Sequence, residues 1–136
     1  MESFVLKDLY KYYSFLLTHA KTSILKELNS ESFGDSLAII DNDGLKIKFV
    51  KEKSRYFIEI MSLTNPNVSY DLHFFYGIIY NDNDYELMDQ KKMSDFLKSN
   101  LERIRIMMNE ENYADTTKKL ELLKKHRLKK KFPKIF

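Results

Sequence analysis

The strongest constraint on this chain is a change of hydrophobic period after residue 36. Leu45, Ile47 and Phe49 alternate with Lys46, Lys48 and Val50, and Tyr56, Ile58 and Ile60 alternate with Phe57, Glu59 and Met61. Alternation at period two marks a strand with one buried face and one wetter face. Leu37-Ala38-Ile39-Ile40 precedes them as a short apolar run. Asp41-Asn42-Asp43-Gly44 reads as the turn between, because Asp-Gly supplies the positive φ angles of a tight hairpin. Lys51-Glu52-Lys53-Ser54 reads as a second turn. These residues predict an antiparallel meander of three strands.

The flanks follow a different rhythm. Leu6, Leu9, Tyr13, Leu16, Ala20, Ile24 and Leu28 recur at intervals of three or four. That spacing predicts one long helix from Phe4 to Leu28, capped by Ser3 and bent near Thr22-Ser23. A polar stretch from Asn29 to Ser36 reads as a loop. Beyond Asn65-Pro66, Ser69 is expected to cap a helix from Tyr70 to Tyr80, although Ile78-Ile79-Tyr80 also suit a strand. Asp89 caps a helix from Gln90 to Met108, with Met93, Phe96, Leu97, Leu101, Ile104 and Met108 on one face. A last helix runs from Tyr113 to Lys130 and stops before Pro133.

Strands and helices are segregated along the chain, so the expected class is α+β. The expected architecture is a small antiparallel sheet, of three or more strands, packed against a long N-terminal helix and two to three C-terminal helices. The 136 residues correspond to a single domain, 1–136, with a basic helical tail from about 116 to 136.

The residues that carry chemistry are sparse. There is no cysteine, which removes disulfides, thiolate metal sites and Cys nucleophiles together. His19, His73 and His126 are far apart and fall in no metal-ligand spacing. Gly34, Gly44 and Gly77 are isolated, so no glycine-rich phosphate cradle exists. Asp41-Asn42-Asp43-Gly44 starts like a calcium loop but has Lys46 where the sixth-position glycine belongs, and the loop beginning at Asp82 has Met93 at its twelfth position. The expectation is therefore no enzyme, no metal and no cofactor. The start, Met1-Glu2-Ser3-Phe4, lacks a basic leader, and charge interrupts every apolar stretch. A cytoplasmic protein with no membrane partner is expected.

Charge divides the chain unevenly. Residues 116–136 hold nine Lys or Arg against Glu121, a balance of +8. The other 115 residues hold 14 bases and 19 acids, a balance of −5. Two surfaces result. Asp82, Asp84, Tyr85, Glu86 and Asp89, with Asp41 and Asp43, suit a basic protein partner, because they combine a tyrosine anchor with charge steering. Lys124, Lys125, Arg127, Lys129, Lys130 and Lys131 form the alternative, a phosphate-contacting helix for nucleic acid.

One stretch also resembles a known group. Arg55-Tyr56-Phe57-Ile58-Glu59-Ile60-Met61-Ser62, then Asn65-Pro66, then Tyr70-Asp71-Leu72 and an apolar helix, is similar to small bacterial immunity proteins of contact-dependent and polymorphic toxin systems. The resemblance covers about residues 45–80. It implies an immunity protein that neutralises a cognate protein toxin, often a basic nuclease domain, by direct high-affinity binding. The acidic body fits that reading, and the basic tail has to point away or serve another contact.

Overall fold

The computed structural model describes residues 4–18, 21–30, 35–52, 55–62, 64–65 and 67–132. Its elements run α1 (Phe4–Tyr12), α2 (Ser14–Leu17), β1 (Thr22–Ser30), β2 (Asp35–Asn42), β3 (Leu45–Glu52), β4 (Arg55–Met61), β5 (Ser69–Asp71), α3 (Leu72–Ile79), α4 (Gln90–Met107) and α5 (Tyr113–Lys131). The class is α+β. The five strands form one antiparallel sheet in sequence order, β1-β2-β3-β4-β5.

The alternation in β3 and β4 does what it predicts. Ile40, Ile47, Phe49, Ile58 and Ile60 point to one face and are buried. Leu9, Tyr13 and Leu16 of the N-terminal helices, Leu72 and Phe75 of α3, Leu97 and Ile104 of α4, and Leu120 of α5 complete the core. Tyr13 meets Phe49 edge-on, with ring centroids 5.1 Å apart. Each such side chain taken out of water contributes about 1.5–3 kcal/mol. The alternate residues Leu37, Ile39, Val50, Phe57 and Met61 face away from the helices and are half-buried. The β2–β3 turn has Asp43 at φ 49° and Gly44 at φ 89°, the paired left-handed residues of the expected hairpin.

The long N-terminal helix is not formed. Helix ends at Leu17, and Thr22–Ser30 is the edge strand β1. The bend at Thr22-Ser23 is the start of that strand, and of the loop predicted from Asn29 to Ser36, residues 29–30 belong to β1, residues 35–36 belong to β2 and residues 31–34 lie outside the described residues. Thr22 fixes the changeover. Its hydroxyl donates to the Leu16 carbonyl at 2.6 Å and accepts from the Asn42 amide at 2.7 Å. The helical spacing of Ala20, Ile24 and Leu28 was coincidental, because Ile24 and Leu28 lie exposed on an edge strand.

Further along, the cap of α3 is Asp71 rather than Ser69, which pairs with Met61 in β5. Asp71 accepts from the His73 N–H at 2.8 Å. Asp89 caps α4 as expected, accepting from Lys92 N at 2.8 Å. Ser3, His19, Gly34, Pro66 and Pro133 lie outside the described residues.

Arg105 of α4 ties the helix layer to the β2–β3 hairpin. It donates to the Asn42 backbone carbonyl, to Asn42 Oδ1 at 2.6 Å and to the Asp43 carbonyl at 3.0 Å. Among the described residues, no helix is long and apolar enough to cross a membrane.

Candidate functional site

The loop from Tyr80 to Asp89, between α3 and α4, is held from below by α5. Gly77 lets the elements close up: its carbonyl accepts from Asp82 N at 2.8 Å. A Cβ at this position would sit 2.8 Å from Leu123 Cδ2 of α5 and 2.9 Å from the Asp82 carbonyl oxygen. On that base, Tyr85 turns inward and is only 5% exposed. Its ring stacks against His73, with centroids 5.9 Å apart, and Arg127 covers it with its guanidinium carbon 4.1 Å from the centroid. Burial raises the Tyr85 phenol above its ordinary range, partly opposed by the Arg127 charge. Asp84 is paired with Lys130 at 2.7 Å and with His126 at 3.6 Å. Arg127 also donates to the Asn83 carbonyl at 3.3 Å.

This corrects the surface read from the sequence. Tyr85 is an interior ring, not an exposed anchor. Asp84 is already paired, and Arg127 and Lys130 of the basic helix serve the same loop. The acidic and basic surfaces therefore meet within one molecule, along a seam whose Asp84–Lys130 and Asp84–His126 pairs are exposed and whose Tyr85 ring is buried. Asp89 is a helix cap. Asp41 is a turn residue, accepting from Gly44 N at 2.8 Å, and Asp43 lies 3.8 Å from Lys21. That hairpin is fastened at Arg105, ten residues along α4 from Asp95, or about 15 Å at 1.5 Å rise per residue. Asp41 and Asp43 are thus not brought together with the loop.

What the fold does assemble is a cleft of about 580 Å³ on the outer side of the same loop, lined by residues of α3, the loop and α4. Tyr76, Tyr80 and Phe96 form its aromatic wall, with centroids 4.8 Å apart for Tyr76–Tyr80, 5.4 Å for Tyr76–Phe96 and 5.9 Å for Tyr80–Phe96. Asp82, Glu86 and Asp95 supply three carboxylates and Lys92 one ammonium. Leu87 stands at the edge, 78% exposed, and Tyr80 is 53% exposed. Asp82 and Glu86 were read from the sequence as site residues. Asp95 was not, because a single acid on a helix carries no signal of its own. Tyr76 and Tyr80, four apart at the end of a helix, were the missed clue.

A ring of faces with carboxylates around it suits a cation. Aromatic faces carry negative potential, and carboxylates add charge and hydrogen-bond acceptors. A lysine or arginine side chain matches both. Acid–base chemistry has less to work with. His73 Nδ1 contacts Asp71 Oδ1 at 2.8 Å, and its Nε2 accepts the Met88 N–H at 2.8 Å, so both ring nitrogens are engaged. Among the described residues, no group of three or more His, Asp or Glu is placed to hold a metal ion.

Lys124, Lys125, Lys129 and Lys131 are exposed on α5. Of the six basic residues considered for nucleic acid, these four remain outside the seam. No family model, curated protein or solved structure matches this chain.

Proposed function

We propose that this chain is a binding protein without catalytic activity that neutralises a basic protein, in the manner of an immunity protein against a cognate toxin in the cytoplasm. The observation that carries the reading is the cleft, where three carboxylates, Asp82, Glu86 and Asp95, outnumber the Lys92 ammonium and line the same opening as the Tyr76–Tyr80–Phe96 wall. A Lys or Arg side chain of the partner enters there as an anchor, and the acidic rim steers its approach. The likeness of the β4–α3 stretch to immunity proteins supports the same class of partner. A buried anchor of this kind contributes 2 kcal/mol or more where it is a hot spot, roughly thirtyfold in affinity.

The test is co-expression with a toxin domain encoded beside this chain, scored by growth and then by calorimetry on the purified pair. Wild type restores growth. A variant carrying Glu86→Lys and Asp95→Lys, both exposed and outside the core, loses protection and at least tenfold in affinity. Full protection by that variant would refute this choice of site.

The exposed lysines Lys124, Lys125, Lys129 and Lys131 of α5 favour a second reading, nucleic-acid contact through counterion release. It predicts a salt-dependent gel shift that disappears when Lys124, Lys125 and Lys129 become Gln.

A further inference from the structure

β1 is the edge of the sheet, and its outer side pairs with nothing among the described residues. Its apolar side chains are unusually open: Ile24 is 45%, Leu25 51% and Leu28 53% exposed. Edge strands are normally blunted by charge, proline or a bulge, because their free N–H and C=O groups template pairing with another chain. This strand has a register shift between Ile24 and Lys26, so Leu25 interrupts its first half. The second half is regular, from Lys26 opposite Ile39 to Ser30 opposite Asp35.

Leu28 also ends a row. It is opposite Leu37, Leu37 is opposite Val50, and Val50 is opposite Phe57. One apolar line thus crosses four strands on the face away from the helices and stops at the open edge.

We propose that β1 pairs antiparallel with β1 of a second copy of this chain, around a two-fold axis through Leu28. Two neighbouring antiparallel strands related by symmetry have their axis perpendicular to the sheet, so opposed residues share a face and the axis passes through one residue. Charge then selects the residue. An axis at Lys26 opposes two lysines, and one at Glu27 opposes two glutamates, both destabilising. An axis at Leu25 falls on the irregular position. An axis at Asn29 opposes two polar asparagines and sets Leu28 against Ser30, so the apolar rows do not join. An axis at Leu28 opposes two leucines, sets Lys26 against Ser30 and Glu27 against Asn29, and brings no like charges together. It also joins the two apolar rows end to end through the axis. The dimer does not depend on the proposed function, since β1 is the sheet edge farthest from β5 and the α3 cleft.

The chain has no cysteine, which makes the register directly testable. Directly opposed residues have Cα atoms about 4.5–5.5 Å apart, within the range a disulfide bridges. Sedimentation of the full wild-type chain should give a dimer, twice 16.3 kDa, at micromolar to millimolar concentration. Leu28→Cys should form a disulfide dimer on mild oxidation, while Lys26→Cys should stay uncrosslinked. Leu28→Lys, which opposes two lysines at the axis, should be monomeric with an unchanged circular dichroism spectrum. A wild-type monomer throughout that range would overturn the proposal. So would a Leu28→Lys dimer, or cross-linking of Lys26→Cys as fast as Leu28→Cys.

Discussion

Gly77→Ala isolates the packing that holds the cleft loop on α5. Gly77 lies inside α3, where intrinsic propensity alone favours alanine by about 1 kcal/mol. Packing opposes it. The new methyl carbon would be 2.8 Å from Leu123 Cδ2, 2.9 Å from the Asp82 carbonyl oxygen and 3.1 Å from Tyr85 Cδ2. The Leu123 methyl is the end of a side chain and can rotate. The Asp82 carbonyl is backbone, and the N–H of the same residue is tied to the Gly77 carbonyl at 2.8 Å. Forcing one methyl into a filled core costs about 1–3 kcal/mol. The net effect is a loss of up to about 2 kcal/mol, or up to roughly 6 °C in Tm for a chain of this size. Thermal unfolding followed by circular dichroism measures it. A Gly77→Ala protein that melts above wild type, as propensity alone requires, would refute the claim that a close approach requires this glycine. Leu123→Ala in the same chain should recover part of the loss in a double-mutant cycle. Simple additivity would place the strain on the Asp82 carbonyl and the Tyr85 ring instead.

Other changes test the remaining contacts. Arg105→Ala removes the donors to Asn42, whose side chain is wholly buried, and should cost about 2 kcal/mol in urea denaturation because buried acceptors lose their partner. Asp84→Asn removes a carboxylate held below its ordinary value of 3.8 by its hydrogen bond to Lys130, then by the Lys130 charge. A lowered folded pKa stabilises above the unfolded value and is lost as pH falls through the folded one. The urea midpoint of wild type should therefore exceed that of Asp84→Asn at neutral pH, the gap closing below pH 3.8 and shrinking with salt. Tyr80→Ala removes a ring packed on Tyr76 and Phe96, so it should lower Tm by a few degrees and, measured by calorimetry well below that Tm, weaken partner binding about three- to tenfold.

Legibility of the fold followed burial. β3 and β4 could be read because one face of each is sealed by helices, which forces strict alternation. α4 could be read because Asp89 and the Met93–Ile104 face state its start and its buried side. β1 could not be read. Neither of its faces is sealed, so Ile24, Leu25, Lys26 and Glu27 obey no alternation, and Leu28 fell into the preceding helical spacing by chance. At the site, the acids of the Asp82–Glu86 loop were visible as composition. The inward turn of Tyr85 was not, since it depends on Arg127, which returns from α5 far along the chain and closes over the ring. Asp95 was hidden because its place beside the acids of the loop comes only from the packing of α4 against that loop, where all of them line one cleft.

The seam between Asp84, Tyr85 and α5 also governs how the two functional readings can be separated. Lys130, Arg127 and His126 act as a buckle on the loop that bears Asp82 and Glu86. Cutting the chain at residue 124 would strip the basic helix and unfasten the acidic cleft in one stroke, so a truncated protein would lose both activities whichever one is real. The outward lysines, Lys124, Lys125 and Lys129, can be neutralised with the buckle left shut. Substitution at those three positions is the separation that this architecture permits.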